Sequence, residues 1–259
     1  NGYVTGGEVV AGEGLSVIND DYVFGVAYIN AGKDIENVTV RSLEGATVSA
    51  GRHIANVDAT SIGVVTMIAG QYDSMTQEPL NGSISGSSAT GNQVVMMASN
   101  NIVNSTVTTR IVEKPVIPGQ QPEEPGEDEG IAYVSAKNLL SGVSINAQKD
   151  VIASGSNIFG GVYVAENGNI NLTATAGSVN GVEATAKAGS ITVGATNEID
   201  GSTLTAYKDM TINAGILVGS NFIAETGDIN LESDIATIVN TTLLAKQGSI
   251  GSEDDPLTV

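Results

Sequence analysis

The chain has 259 residues, with 29 acidic and 10 basic side chains and a formal net charge of −19 at pH 7. So few cations argue against a nucleic-acid partner and against docking on an anionic lipid surface, both of which need clustered Lys and Arg. With no cysteine there is neither a disulfide framework nor a thiolate metal site, and 41% apolar content with only 4% aromatic points to a thin core of Val, Ile, Leu and Ala. No apolar run approaches the 18 residues of a membrane-spanning helix, so no membrane insertion is expected within the segment. The chain begins at Asn1 with no signal-peptide pattern, and any export signal or anchor is expected to lie outside it.

Alanines recur through the chain at Ala11, Ala31, Ala50, Ala69, Ala98, Ala136, Ala147, Ala165, Ala186, Ala206, Ala224 and Ala245. Most spacings are near 20, and each alanine is followed by a small or polar corner such as Ala31-Gly32-Lys33-Asp34-Ile35. Read as one alanine per coil, they predict twelve coils. The N-terminal aromatics Tyr22, Phe24 and Tyr28 are expected to pack in the core, with a sugar-stacking platform as the alternative. Asn37, Asn56 and Asn104 each stand two residues after a corner aliphatic. Asparagine tolerates left-handed backbone and can bond to the same asparagine one coil on, so an asparagine ladder is predicted. Asn37-Val38-Thr39 and Asn104-Ser105-Thr106 also match the glycosylation acceptor pattern, a weak motif.

His53, the single histidine, follows Arg52 at a corner and reads as solvated; one histidine makes no metal cluster. Arg41, Arg52 and the pair Asp20-Asp21 are the one set that could converge on a face to act on an anionic sugar. Two intervals are too long for a coil. That from Ala69 to Ala98 carries about ten extra residues, assigned to 74–83 around Pro79. That from Ala98 to Ala136 carries about 18, assigned to the acidic, proline-rich stretch 113–130, read as a loop or linker. The acid runs Glu123-Glu124, Glu127-Asp128-Glu129 and Glu253-Asp254-Asp255 read as solvated, because the known calcium-loop spacings are absent. The threonines Thr106, Thr108 and Thr109 do not recur in neighbouring coils in this register, which speaks against an ice-binding face. The step of 11 between Ala136 and Ala147 is too short for a coil; either a side is lost there or the phase changes.

From Val151 the repeat is open to view. Val151, Ile170, Ile191, Met210, Ile229 and Ile250 each follow a Gly/Asp/Asn/Ser corner at spacings of 19, 21, 19, 19 and 21. Ile191-Thr192-Val193 alternates as a half-buried strand does. A second half recurs at 158–165, 179–186 and 238–245: an aliphatic residue, two places on a Gly, Asn or Ser, then an apolar place and a closing Ala. No stretch has a helical stripe. Short strands at a period near 20 predict an all-β fold, a parallel β-helix (β-solenoid) whose coils of about 20 residues bury their apolar faces only by stacking. Because the count closes across the loop, residues 1–259 are expected to form one continuous solenoid domain.

The units AGKDIENVTVRS, AGSITVGAT, TGDINLES and QGSIGSEDDPLTV resemble the repeats of bacterial large exoproteins of the filamentous-haemagglutinin type. The resemblance runs from about Val9 to Val259, leaving out the acidic loop, and lacks the family's secretion-domain motif. It implies a right-handed parallel β-helix and a non-enzymatic shaft segment of a secreted or cell-surface adhesin, whose partner would be an unidentified receptor or glycan. It carries no catalytic, cofactor-binding or metal residues to this chain. The alternatives are a carbohydrate-active β-helix enzyme, a lyase or hydrolase, and a scaffold that self-associates end to end through open terminal coils.

Overall fold

The computed structural model describes residues 2–11, 16–18, 21–23, 25–70, 81–111, 126–232 and 235–251, with backbone alone at 16–18 and 21–23. Three parallel sheets of eleven strands each run the length of the molecule, and neighbouring strands in a sheet come from neighbouring coils. One coil shows the plan. Ile191–Ala195 lies in sheet 3, Glu198–Asp200 in sheet 1, Thr203–Ala206 in sheet 2, and Met210–Asn213 returns to sheet 3. The fold is therefore a parallel β-solenoid, with no helix among the described residues. A separate antiparallel pair joins Ser16–Ile18 to Asp21–Val23.

The core is a set of aliphatic columns. Val151, Ile170, Ile191, Met210, Ile229 and Ile250 pair one on the next in sheet 3 as the repeat predicts. In sheet 1 the inward column from Ile35 to Leu217 is fully buried at every rung. Along each strand inward residues alternate with outward ones, as pleating requires: Ile229 is buried while Asn230 is only half-buried, and Ile191 is buried beside exposed Thr192. Each such aliphatic contributes roughly 1.5–3 kcal/mol by leaving water.

The alanine spacing conceals a change of phase. Ala31, Ala50, Ala69, Ala98 and Ala136 are successive rungs of sheet 3. Ala147, Ala165, Ala186, Ala206, Ala224 and Ala245 are successive rungs of sheet 2. The step of 11 passes from sheet 3 through sheet 1 to sheet 2 inside a single coil, so eleven strands replace the twelve expected coils. Both sheets end where the chain turns sharply, and a small inward residue suits both places. Ala11 belongs to sheet 2, beside Ser42. Its regular-looking distance of 20 from Ala31 hides an insertion. Ser42 to Ala46 takes 4 residues between the paired rungs and Ala11 to Ala27 takes 16, a surplus of 12.

Both predicted insertions are shorter at their C-terminal ends than assigned. Gly82 and Ser83 already belong to the coil: the Gly82 amide donates to Ser99 Oγ at 2.9 Å and the Ser83 amide to His53 Nδ1 at 3.2 Å. Residues 126–130 form a turn bound to both neighbours. The Gly130 amide donates to the Asn92 carbonyl at 2.6 Å, and its carbonyl accepts from the Lys149 amide at 2.8 Å. The remainder, 71–80 and 112–125, lies outside the described residues. Across both gaps the sheets keep register, Ala69 beside Ala98 and Thr106 beside Ser144. Insertions after Ala11 and after Thr109 occupy the same corner of the coil, between sheets 2 and 3, four coils apart.

The corner after sheet 1 imposes the tightest demand on sequence. Its first residue has φ between 48° and 69° at Gly6, Asn37, Asn56, Gly86, Asn104, Gly142, Gly160, Gly181, Gly201, Gly219 and Asn240. This is the left-handed region, which costs an ordinary L-residue roughly 1–2 kcal/mol and which Gly and Asn enter most easily. The three asparagines singled out from sequence are thus part of a Gly/Asn rung. The predicted side-chain ladder forms once, Asn56 Nδ2 donating to Asn37 Oδ1 at 3.2 Å, and stops at Gly86.

Two outcomes check this architecture. Ile229→Asp and Ile191→Asp should each destabilise the chain by more than ~2 kcal/mol, since apolar burial is lost and a carboxylate is buried. Asn230→Asp and Thr192→Asp should stay within ~0.5 kcal/mol, as surface changes do; denaturant unfolding of all four variants reads the contrast. Gly201, where an added Cβ would meet open space, isolates the backbone term. Gly201→Ala should cost about 1 kcal/mol and Gly201→Asn distinctly less. Equal losses from Ala and Asn would show that conformation is not what restricts this corner.

Candidate functional surface

The corners are held by polar side chains acting coil to coil. Before sheet 3, Asp150 Oδ1 accepts from the Asn169 amide at 2.6 Å, and Asn169 Oδ1 from the Ser190 amide at 2.9 Å. The same relay joins Asp209 to Asp228 at 2.9 Å and Asp228 to Ser249 at 2.6 Å. A Cβ at the glycines just before, Gly168, Gly189, Gly227 and Gly248, would collide with these side chains. The recurring Gly-Asp/Asn/Ser-aliphatic corner of the sequence is therefore a hydrogen-bonding device. After the left-handed rung a second relay is buried at its first two links and half-buried at the third: the amides of Val182, Ser202 and Ser220 donate to Ser202 Oγ, Ser220 Oγ and Thr241 Oγ1 at 3.2, 3.1 and 3.4 Å. Each hydroxyl donates to the carbonyl two residues back, Asp200, Val218 and Val239.

His53 is exposed at its corner, as expected, and is also a rung. Its amide donates to Asp34 Oδ1 at 3.1 Å, and its Nδ1 accepts from Ser83. Arg52 pairs with buried Asp34 at 2.6 Å, near Tyr3. Arg41 pairs with Glu8 at 3.1 Å on sheet 2, on a different side of the coil from the Arg52 corner. The two arginines proposed to converge are thus held apart. Of their suggested partners, Asp20 lies outside the described residues and Asp21 is described by its backbone alone. Glu123-Glu124 and Glu253-Asp254-Asp255 also lie outside them, whereas Glu127, Asp128 and Glu129 sit in the 126–130 turn. No group of three or more metal-ligating side chains occurs among the described residues.

Two expectations need correcting. Tyr28 does not pack in the core; it is 64% exposed on the outer face of sheet 3, between buried Ala27 and Ile29. The pairing of parity was the missing information, since a one-residue shift moves a strand residue from core to solvent. Phe24 lies outside the described residues, and of Tyr22 only the backbone is described. The threonine row does recur: Thr60, Thr90 and Thr108 stack in three successive coils of sheet 2. It is flanked by Arg41 and Asn146. Thr109 turns inward, donating to the Gly130 carbonyl at 2.7 Å and accepting from the Gln148 amide at 2.9 Å.

The aromatic residue at one inward place of sheet 2 is chemically unusual. Tyr163 is fully buried between Ile145 and Ala184, and its hydroxyl has no hydrogen-bond partner. Burial pushes its pKa well up. A group that stays protonated when folded but ionises near pH 10 when unfolded stabilises fully below that pH and loses its contribution above it. Tyr163→Phe should therefore be neutral or more stable than the parent by about 1 kcal/mol at pH 7, since an unpaired buried polar group is removed. Its advantage should widen above pH ~10. A loss of stability at pH 7 in urea unfolding would show that the hydroxyl is satisfied.

The outer faces differ. Sheet 2 presents mostly polar side chains, with exposed Val10, Val162 and Leu244 far apart among them, while sheet 3 carries exposed apolar residues in its N-terminal half, among them Val64, Met97 and Ile152. Compared with protein-family models, curated proteins and solved structures, the chain matches none. The fold and its polar relays define a parallel β-solenoid, and that is the class to which the chain is assigned.

Proposed function

We propose that the chain is a non-enzymatic shaft segment of a secreted or cell-surface bacterial adhesin-type protein, with extended faces available to a receptor or glycan. The observation that supports this most is the unbroken inward column of sheet 1, fully buried from Ile35 to Leu217. A dry column with every coil hydrogen-bonded to the next resists bending, because each bend must open relays along one side. Eleven strands per sheet make ten steps of ~4.8 Å, a rod of roughly 48 Å. The net charge of −19 keeps such rods apart in solution.

Small-angle scattering should give an elongated particle, and a near-spherical one sinks the shaft reading. Anionic polysaccharides incubated with the protein should yield neither new reducing ends nor unsaturated sugars. Turnover that disappears in Arg41→Ala or Arg52→Ala would replace the shaft with a carbohydrate-active enzyme. Light scattering should be independent of concentration; growth with concentration would favour an end-to-end assembling scaffold.

A further inference from the structure

Parallel sheets are ordinarily covered on both faces. Here the outer face of sheet 3 changes character along the rod. In its C-terminal half the central outward column reads Asn171, Thr192, Thr211 and Asn230. Nearer the N-terminus, four coils place apolar side chains outward among polar ones. Val95, Tyr133 and Ile152 are successive rungs of that column, and Ile68 and Met97 are adjacent rungs of the next. Val95 and Met97 lie two apart on one strand, so the five side chains form one continuous strip. Met97 is 46% exposed and Ile152 38%. Strand pairing does not demand them, because the same outward column takes Thr and Asn from Asn171 to Asn230.

The strip has an acidic margin. At the corner between sheets 2 and 3 stand Glu44, Glu127, Asp128, Glu129 and Asp150. Two cations share that margin: Arg110, exposed just after Thr109, and Lys149, which turns toward the carbonyls of Gly126 and Glu127, at 3.5 and 3.3 Å. Burial, then the charges of Asp128 and Asp150, raise the pKa of the Tyr133 hydroxyl, which places the acids beside the strip. A second copy of a chain with net charge −19 would bring like charges together. We infer that this strip of sheet 3 is a lateral docking surface for a polypeptide partner that sets an apolar row against Val95, Met97, Tyr133 and Ile152 and basic side chains against the Glu127–Asp150 margin. Apolar contact would supply the affinity, and the acidic margin the orientation and rate of encounter.

The test uses the full chain and three synthetic peptides: one alternating Leu and Lys, one alternating Leu and Glu, and heptalysine. The Leu-Lys peptide should bind with an affinity that falls as salt rises, and the other two at least about tenfold more weakly. The double variant Met97→Asn, Ile152→Asn should lose binding by about tenfold or more with an unchanged melting temperature. Glu127→Gln with Asp128→Asn should weaken binding and flatten its salt dependence, whereas Thr192→Asn with Thr211→Asn, on the polar half of the face, should do neither. Equal binding of heptalysine, or undiminished binding by the Met97/Ile152 variant, overturns the proposal. So does a dimer of the parent chain that the same variant abolishes, since the occupant would then be a second copy. None of these outcomes bears on whether the rod is catalytic, so this proposal and the shaft reading fail separately.

Discussion

Among the described residues, the strands of a coil find their partners in the coils on either side of it. Its strands in all three sheets are hydrogen-bonded only to equivalent strands one turn away. Every other feature follows from that constraint. Because the rungs must coincide, a corner conformation adopted once is imposed on all coils, and the left-handed rung therefore runs through Gly and Asn from Gly6 to Asn240. Because each amide must find an acceptor exactly one turn below or above, side chains such as Asp209 and Ser202 serve as inter-coil caps where the strand ladder lapses. Length variation is tolerated only at corners, where added residues leave the strands on both sides in register.

What the sequence disclosed and what it withheld divide along the same constraint. The sheet-3 column from Val151 to Ile250 was legible because three signals coincide there: a corner, an aliphatic opener and alternation. The left-handed asparagines were legible because few other residues tolerate that backbone. The phase of the alanines was not, because sheets 2 and 3 both close on a small residue, and a spacing cannot say which sheet it measures. Nor was the insertion after Ala11, whose length brought Ala31 to a plausible distance. Pairing errors of this kind propagate: the fate of Tyr28 and the stacking of Thr60, Thr90 and Thr108 depend on parity and register, which only the assembled sheets fix. The separation of Arg41 from Arg52 is a matter of which side of the coil each occupies, and a linear spacing of 11 does not reveal it.

The interior and exterior obey different rules. Inside, volume is matched between adjacent rungs, as where Tyr163 meets Ala184, and a buried hydroxyl without a partner is the residue of that compromise. Outside, stacking leaves the side chain at a given rung free to differ from one coil to the next. The polar run Asn171, Thr192, Thr211 and the apolar run Val95, Tyr133, Ile152 occupy one column of one sheet. The fold treats the two alike, and solvent does not.

The corner between sheets 2 and 3 accommodates surplus chain after Ala11 and again after Thr109, with four coils between them and the register intact. Four steps of ~4.8 Å separate the two points by roughly 19 Å along a single edge. The edge thus works as a ruler with two mounting points: cargo grafted at both would be held at a known distance, and removing or adding a whole coil between them would change that distance in increments of one strand spacing.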